Sequence, residues 1–509
     1  MSLIFRGTST RFRPDSAVRK FGRSLNVATL VLLGGCINLG PDYERPTVEV
    51  EPDWLLTEEG PVSSAAPVSE VWWQQVFKDP DLDKLIDLSI AQNLTLRSAG
   101  LRVLQSQQQL AIAVGGQYPQ QQQLSGNASR QKSDEVIFND YNVGFNLAWE
   151  VDFWGRFRRQ VETASAQLDA SVASYDAVLV SLVAQVAQTY ILIRTFQERI
   201  DLARLNAQLQ AESVRISKAK VAAGDVSELD VDQAESLLYN TQATVFALET
   251  SLQQFKNNLA VLLGKPPQDM NYLLTQMEVI PTAPASVALG MPQDLIRRRP
   301  DIRVSERQLA AQSARIGVAE ADLYPSLSIG GSIGTSSMQS GSLFENQSET
   351  WDVFGAFQWN IFNYGRLQSN VRLQDALFQQ LLADYRGTVL QAQAEVENAI
   401  VAYIKSQEQL ASYRLAAEAS QRAVEVSSSQ YKNGLVSFNT VVSTLSSNTQ
   451  QQDLLASTQG TVASNLVEVF KSLGGGWEVR GESDPVDLLP ASTKEQMRER
   501  TGAWKGVLE

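Results

Sequence analysis

The sequence predicts an α+β membrane protein that is internally duplicated, with four β-strands and two long coiled-coil helices in each chain. Three observations predict this class: a repeat at one constant offset, segments of strictly alternating apolar residues, and helical stretches far longer than a globular core requires. An export signal precedes these segments. We therefore expect the strands to form part of a lipid-facing barrel wall.

The first 35 residues have the pattern of an export signal. Six basic residues and one acidic residue accompany a short apolar stretch over 25–33, and two glycines then lead to Cys36. Segment 33–36 resembles the bacterial lipoprotein box, which predicts cleavage after residue 35 and a covalent lipid on Cys36. The alternative is an ordinary secretory signal with an incidental cysteine. No later stretch has the 18 or more apolar residues of a membrane helix, so we expect any spanning segments to be strands.

The composition excludes most catalytic chemistry. The chain has 509 residues, 43 basic and 56 acidic side chains, a net charge of −13, no histidine and one cysteine. These counts exclude Ser-His and Cys-His catalysis, intrachain disulfides and cysteine-bound zinc. An acidic chain without a dense basic patch predicts no nucleic acid partner. Scattered carboxylates have no catalytic motif beside them, so we expect no enzyme, no metal site and no cofactor other than the lipid.

The chain contains the same pattern twice. The copies align at an offset of 210 residues, as shown by Trp149 and Trp359, Gly155 and Gly365, Tyr175 and Tyr385, and Leu263 and Leu473. Chance identities do not keep one register over such a length, so we interpret this as an internal duplication. Within a single mature domain, 36–509, we place repeat one at about 71–265 and repeat two at about 291–475. A tail follows over 477–509.

Each repeat begins with two candidate strands. Apolar and polar residues alternate over 141–153 and again over 351–361, and weaker alternation begins at Leu124 and Leu327. A period of two gives one apolar and one polar face. We therefore predict one β-hairpin at about 119–154 and another at about 325–362. A soluble sandwich is the alternative, but aromatic residues at the strand ends and the export signal favour a barrel wall.

A long helix follows each hairpin. Residues 156–223 contain neither glycine nor proline, and 366–433 contain only Gly387. Apolar or small residues recur at alternating steps of four and three, which predicts a coiled-coil seam rather than an ordinary core helix. In the first copy these are Tyr175, Leu179, Leu182, Val186, Thr189, Ile193, Phe196, Ile200 and Ala203, and the second copy repeats the pattern 210 positions later. We expect Gly224 and Gly434 to cap these helices and shorter helices to return over 225–263 and 435–473.

Four strands are too few to close a barrel. An open sheet edge in lipid leaves backbone groups unsatisfied at several kcal/mol each. Known bacterial barrels begin at about 8 strands. Several copies of the chain must therefore share one barrel, and the strand count predicts a homo-oligomer.

Several motifs resemble those of the TolC/OprM family of outer-membrane efflux ducts, in its lipoprotein, NodT-like branch. They are GPDYERP at 40–46, the Trp72 and Trp73 pair, WEVDFWGR at 149–156, RRRPDI at 297–302 and LGGGW at 473–477. The resemblance covers nearly all of the mature chain. It implies a homotrimer in the bacterial outer membrane, with four strands per chain in one barrel and a helical tunnel through the periplasm.

The resemblance also implies a function and partners. The trimer would be the exit duct of a tripartite efflux system, passively conducting drugs or toxic compounds. Its partners would be the lipid bilayer, a periplasmic adaptor (membrane fusion) protein and an inner-membrane resistance-nodulation-division transporter. A type I protein-secretion duct and a structural outer-membrane lipoprotein remain alternatives, since each shares part of the pattern.

Family tunnels close at the periplasmic tip, near the turn glycines Gly224 and Gly434. The closed-state tether of the family joins a tyrosine three residues before the second glycine to an aspartate six after the first, here Tyr431 and Asp230. The alternative role for Asp230 is helix capping and favourable placement of its charge near a helix N-terminus.

The sequence departs from the family at the rest of the gate. Where relatives often have an arginine and acidic rings, this chain has Val436, Thr440 and Ser443. We therefore expect any constriction at these positions to be apolar or lined by hydroxyl groups.

Overall fold

The computed structural model describes residues 37–50, 54–55, 62–63, 71–267, 270–274, 279–284, 287–288 and 298–508. Cys36 and the signal before it lie outside the described residues, as does Arg297 of the RRRPDI motif.

The described residues fall into two compact units. The sheet unit comprises those within Met1–Tyr43, Ala111–Ala164 and Ala311–Leu377, and the helix unit comprises those within Glu44–Leu110, Ser165–Ala310 and Phe378–Glu509. The strands are β1 (Val62–Ser63), β2 (Gln121–Ser133), β3 (Val136–Val151), β4 (Val287–Ala288), β5 (Ser326–Ser337) and β6 (Glu349–Gln358). The α-helices are α1 (Trp72–Phe77), α2 (Pro80–Gln92), α3 (Leu94–Gly115), α4 (Arg156–Ala222), α5 (Glu228–Leu262), α6 (Pro300–Ala321), α7 (Arg366–Lys432), α8 (Phe438–Ser472) and α9 (Ala491–Arg500).

The sheet unit contains a four-stranded antiparallel sheet in the order β2-β3-β5-β6. Its register aligns apolar side chains across one face: Phe145 lies opposite Leu124 and Ile333, and Ile333 lies opposite Trp351. The other face is mostly polar, with Asn146 opposite Ser332, although Phe138 and Phe354 also lie on it. Leu124 and Trp351 are 75% and 72% exposed in the single chain. The alternation of the sequence therefore gives the sheet one apolar face that the chain itself does not cover.

β3 begins earlier and ends earlier than its alternating segment, 141–153. It starts at Val136 because Asp134 and Glu135, at φ 46° and 70°, make a two-residue turn from β2. Positive φ at both positions is typical of a type I′ hairpin turn. The strand ends at Val151 because a tight turn follows, in which the Phe153 N–H donates to the Val151 carbonyl at 2.8 Å.

Each hairpin is anchored by a tryptophan in the same place. Trp149 Nε1 donates to the Gln117 carbonyl at 3.2 Å, and Trp359 Nε1 donates to the Leu323 carbonyl at 3.0 Å. The two tryptophans are 210 positions apart in the sequence. The duplication therefore extends to individual hydrogen bonds.

The two long helices end one residue before the predicted limits, and each ends in the same cap. Gly224 and Gly434 have φ of 78° and 74°. The Asp225 N–H donates to the Lys220 carbonyl and the Leu435 N–H to the Gln430 carbonyl, both at 2.9 Å. These bonds, with the glycine bonds inside them, form Schellman motifs, which require a left-handed residue that glycine adopts without strain.

The predicted seams are largely buried. In the first copy every seam residue except Phe196 is buried, and in the second copy only Leu410 and Tyr413 are partly exposed. α4 also contains an 18-residue window that is apolar enough to cross a membrane by length and composition, contrary to our expectation that no such helix would follow the signal. Because 67% of that window is buried inside the protein, we assign it to the core.

The start of α2 is held to α4 by a buried polar cluster. Arg194 Nη2 bonds Asp81 Oδ2 at 2.8 Å, and their side chains are 1% and 3% exposed. The Tyr190 hydroxyl donates to Asp79 Oδ2 at 2.6 Å and accepts from Arg194 Nε at 3.1 Å. Breaking a buried ion pair leaves the remaining charge uncompensated, which costs more than the pair itself contributes.

We expect Arg194→Met to lower the free energy of unfolding by about 3–5 kcal/mol, because the substitution breaks a buried ion pair. Chemical unfolding in detergent, followed by circular dichroism, measures this loss. The control is Arg215→Met, which breaks an exposed pair with Glu212 and should change little. A loss no larger than that of the control would contradict the assignment.

Candidate functional site

The predicted gate pair is brought together in a single chain of the structure. Tyr431 lies in the last turn of α7, and Asp230 lies in the first turn of α5. The Tyr431 hydroxyl donates to Asp230 Oδ2 at 3.2 Å. This hydrogen bond links the turn region of repeat two to that of repeat one.

The Tyr431 ring is buried in an apolar group of side chains, the tip cluster. Its members are Val214, Ala234, Leu238, Val424, Tyr431, Phe438, Val441 and Leu445. The Tyr431 and Phe438 ring centroids are 5.1 Å apart, and Lys220 Nζ lies 4.9 Å from the Tyr431 centroid. Tyr431 therefore packs within the tip cluster and also donates a hydrogen bond to Asp230.

Burial, together with the Asp230 carboxylate, raises the pKa of Tyr431 above its ordinary value of 10.0. The phenol is consequently neutral at physiological pH and remains a donor. Because the pKa is higher in the folded protein, the stabilisation is fully present below about pH 10 and is lost as the pH rises through the folded pKa. The phenol donor of this hydrogen bond is thus insensitive to pH in the physiological range.

The other three gate candidates are not gathered at one place in the chain. Val436 packs against the tip cluster, whereas Thr440 and Ser443 are exposed on α8. Thr440 occupies the position in repeat two that Asp230 occupies in repeat one. Repeat two therefore has no carboxylate with which to form a second tether of the same kind.

Asp230 lies in the first turn of α5 but is not its N-cap. The N-cap of α5 is Ser227, whose side chain makes no capping hydrogen bond. Asp230 and Glu228 lie in the first turn, where a negative charge is favourable. Asp230 has this placement and also accepts the hydrogen bond from Tyr431.

In the sheet unit, the segment that follows Cys36 is fixed by Arg159. This arginine is 1% exposed and donates to the carbonyls of Leu39 at 2.9 Å and Gly40 at 3.0 Å, and to Asp42 Oδ1 at 2.9 Å. Gly40 is required here, because its φ is 84° and an added Cβ would overlap the backbone of Gly317. We call residues 37–42 the strap. The GPDYERP motif at 40–46, which overlaps the strap, was recognised in the sequence, but Arg159, which lies outside that motif, was missed.

The described arginines of the RRRPDI motif join segments that are distant in sequence. Arg298 pairs with Glu478 at 2.9 Å. Arg299 bonds the Ser472 carbonyl and Glu395, both at 2.7 Å. Sequence reasoning took these residues only as part of a motif.

A buried carboxylate, Asp176, also joins segments that are distant in sequence. Asp176 is fully buried and pairs with Arg480 at 2.7 Å and with Arg303 at 3.3 Å. In the sequence, its only signal is its position directly after Tyr175, the first residue of the predicted seam. That signal was missed, because an acidic residue beside a seam is usually exposed to solvent.

A comparison with models of protein families identifies the family to which the chain belongs. The model of the family described as outer membrane efflux protein matches residues 85–265 and 291–475. The chain belongs to the outer membrane efflux protein family. The two matched segments fall on the two repeats of the sequence.

Individual proteins agree with this assignment. The chain is 31% identical over 414 residues to nodulation protein T of Rhizobium leguminosarum bv. trifolii, and the match covers 80% of this chain and 87% of that protein. It is 30% identical over 472 residues to the solvent efflux pump outer membrane protein SrpC of Pseudomonas putida, covering 90% and 99%. Among solved structures, the outer-membrane channel OprN has 30% identity and a TM-score of 0.82, and the match covers 87% of this chain and 100% of that one.

The family fixes the architecture in which these residues act. The chain is one protomer of a homotrimeric outer-membrane efflux duct of the NodT-like lipoprotein branch. It extends into the periplasm and works with a periplasmic adaptor and an inner-membrane transporter. The sequence-based predictions of family, fold class, function, partners and location are confirmed.

Proposed function

We propose that this duct conducts small toxic organic compounds passively, catalyses no reaction, and is held closed at rest by the Tyr431–Asp230 hydrogen bond. The 3.2 Å contact between these side chains carries the proposal. Support for organic cargo comes from relatives named as solvent and toluene efflux components. The lack of histidine in the whole sequence supports a duct without a chemical step.

The strength of the tether suits a gate that partners can open. A hydrogen bond from a neutral phenol to a carboxylate contributes about 1.5–3 kcal/mol before solvent exposure weakens it. Asp230 is partly exposed, so the contribution of this hydrogen bond lies toward the lower end of that range. One bond in each of three protomers biases the tip toward closure, and an adaptor that binds only the open tip can reverse that bias.

Removing both partners should open the resting duct. We expect Tyr431→Phe combined with Asp230→Ala to raise single-channel conductance in planar bilayers and to sensitise cells to large antibiotics. The matched control is Tyr413→Phe, which removes a phenol hydroxyl from α7 at a distance from the tip and should leave conductance unchanged.

Equal conductance of the double variant and wild type would refute the tether. Closure would then depend on Val436, Thr440 and Ser443, and Tyr431 would serve only to pack the tip cluster. Measuring trimer content beside conductance separates a changed gate from a lost assembly.

We also propose that Cys36 carries the covalent lipid. The strap supports this, because Arg159 fixes residues 39–42 to the unit that contains the sheet. A lipid on Cys36 would therefore be attached close to the part of the chain that enters the membrane. One set of acyl chains is a weak anchor compared with a barrel.

We expect Cys36→Ser to abolish incorporation of labelled palmitate while the protein still inserts into the outer membrane. Thr47→Ser, beyond the strap, is the control and should incorporate label normally. Unchanged labelling of the Cys36 variant would show that this residue is not acylated.

A further inference from the structure

The apolar face of the sheet changes character along β2. The residues of β2 on this face are, in order, Gln122, Leu124, Gly126, Ala128, Arg130 and Lys132. Small or apolar residues thus occupy the middle of the strand, and two cations occupy its end beside the turn to β3. We call Arg130 and Lys132 the rim pair.

The rim pair lies on the side of the sheet that meets lipid. Arg130 lies opposite Asn139 and Lys132 lies opposite Ile137, so both cations share a face with Leu124. In a membrane barrel the apolar face contacts lipid and the polar face lines the interior. Pairing of the free edge of β2 with another copy uses backbone groups in the plane of the sheet, so it leaves the side chains of this face uncovered.

The rim pair also lies at the outer end of the strand. β3 leads into α4, and the long helices of this duct lie on the periplasmic side of the barrel. The turn at Asp134 and Glu135, which follows Lys132 closely in the sequence, is at the other end of β3. That end therefore faces the cell exterior.

The length of the strands places Arg130 at the membrane surface. Its partner Asn139 precedes Trp149 by ten residues on β3, and tryptophan is enriched where membrane meets water. Ten residues extend about 33 Å along a strand, which is about 25 Å across the membrane for a strand tilted by about 40°. The apolar band of an outer-membrane barrel is also about 25 Å tall. With Trp149 at the inner surface, Arg130 is therefore at the outer surface, level with the lipid headgroups.

The positive charge of the rim pair is not neutralised within the chain. Both side chains are exposed, and among the described residues neither forms an ion pair. The acidic residues nearest in sequence, Asp134 and Glu135, belong to the turn, and Asp140 lies on the polar face of the sheet. The rim pair is therefore available to an anion from outside the protein.

The spacing of the rim pair suits a single phosphate group. Residues two apart on a strand point to the same face and are about 7 Å apart. Arginine and lysine side chains are long enough to converge on one group between them. The planar guanidinium of arginine can bind two phosphate oxygens, and lysine adds a compact charge. A phosphate at the surface of the hydrocarbon layer belongs to a lipid headgroup.

We propose that the rim pair binds the phosphate of an anionic lipid in the outer leaflet of the outer membrane, one lipid for each protomer. Arg130 and Lys132 hold the headgroup, and the acyl chains lie along the apolar part of the same face, beginning at Ala128 and its partner Tyr141. This site is separate from the path of the cargo, because it lies on the lipid side of the barrel wall.

Lipid binding to the purified full-length trimer tests this site. Phosphatidic acid, whose headgroup is a single phosphate, should raise the temperature at which the trimer dissociates in detergent by several degrees. Native mass spectrometry should show one bound molecule for each protomer. Arg130→Gln with Lys132→Gln should abolish both effects. The control, Arg500→Gln with Lys505→Gln, removes the same charge from exposed residues outside the sheet and should preserve both effects.

Three results of these measurements would overturn the proposal. An equal rise in the rim-pair variant and in wild type would show that the lipid binds elsewhere. An equal rise with phosphatidylcholine would show that the headgroup charge is not recognised. A full rise with inorganic phosphate alone would show that the rim pair binds a soluble anion instead of a lipid.

Moving the two charges by one residue tests which face binds the lipid. Ser129→Arg with Gln131→Lys, added to the rim-pair variant, places the same charges on the polar face, because side chains alternate along a strand. This displaced pair should not restore binding of phosphatidic acid, whereas Arg130→Lys with Lys132→Arg, which exchanges the cations, should retain it. Recovery through the displaced pair would contradict a site on the lipid side. The trimer content in the same spectra shows that each variant folds and assembles.

Discussion

The structure depends on one constraint: a sheet in lipid must leave no backbone N–H or C=O group unpaired. Within the described residues, β3 and β5 have neighbours on both sides, whereas β2 and β6 have one neighbour each. Every unsatisfied group costs several kcal/mol in hydrocarbon, more than a typical side-chain hydrogen bond contributes. Closure by further copies is therefore obligatory, and the family supplies it as a trimer.

The duplication provides the same elements twice but leaves the two halves unequal. Equivalent tryptophans, glycine caps and seams recur in both repeats. The polar links do not recur: Tyr431 and Asp230 correspond to Val221 and Thr440, which cannot form the same bond. Contacts within a chain can thus be specific and charged while their counterparts are neutral. Sequence divergence after duplication thus gives the Tyr431–Asp230 link no equivalent at the other pair of positions.

Much of the fold follows from local periodicity in the sequence, whereas the contacts between distant segments do not. Long helices, their glycine caps and β3 could be predicted because each has a repeating pattern or a residue with a unique backbone preference. β2 was only weakly indicated, because Leu124 is almost alone among polar residues and the turn at Asp134 and Glu135 lacks the usual glycine. The roles of Arg159 and Asp176 could not be predicted, since the strap that Arg159 binds and the two arginines that Asp176 binds are more than a hundred residues away in the sequence.

The central claim is that the four strands of one chain form a barrel only with those of other copies. Native mass spectrometry of the detergent-extracted protein tests it most directly. The account predicts a species of three chains, each of 56.0 kDa less the signal, with no folded monomer whose strands resist proteolysis. A stable, folded monomer with protease-resistant strands would contradict it.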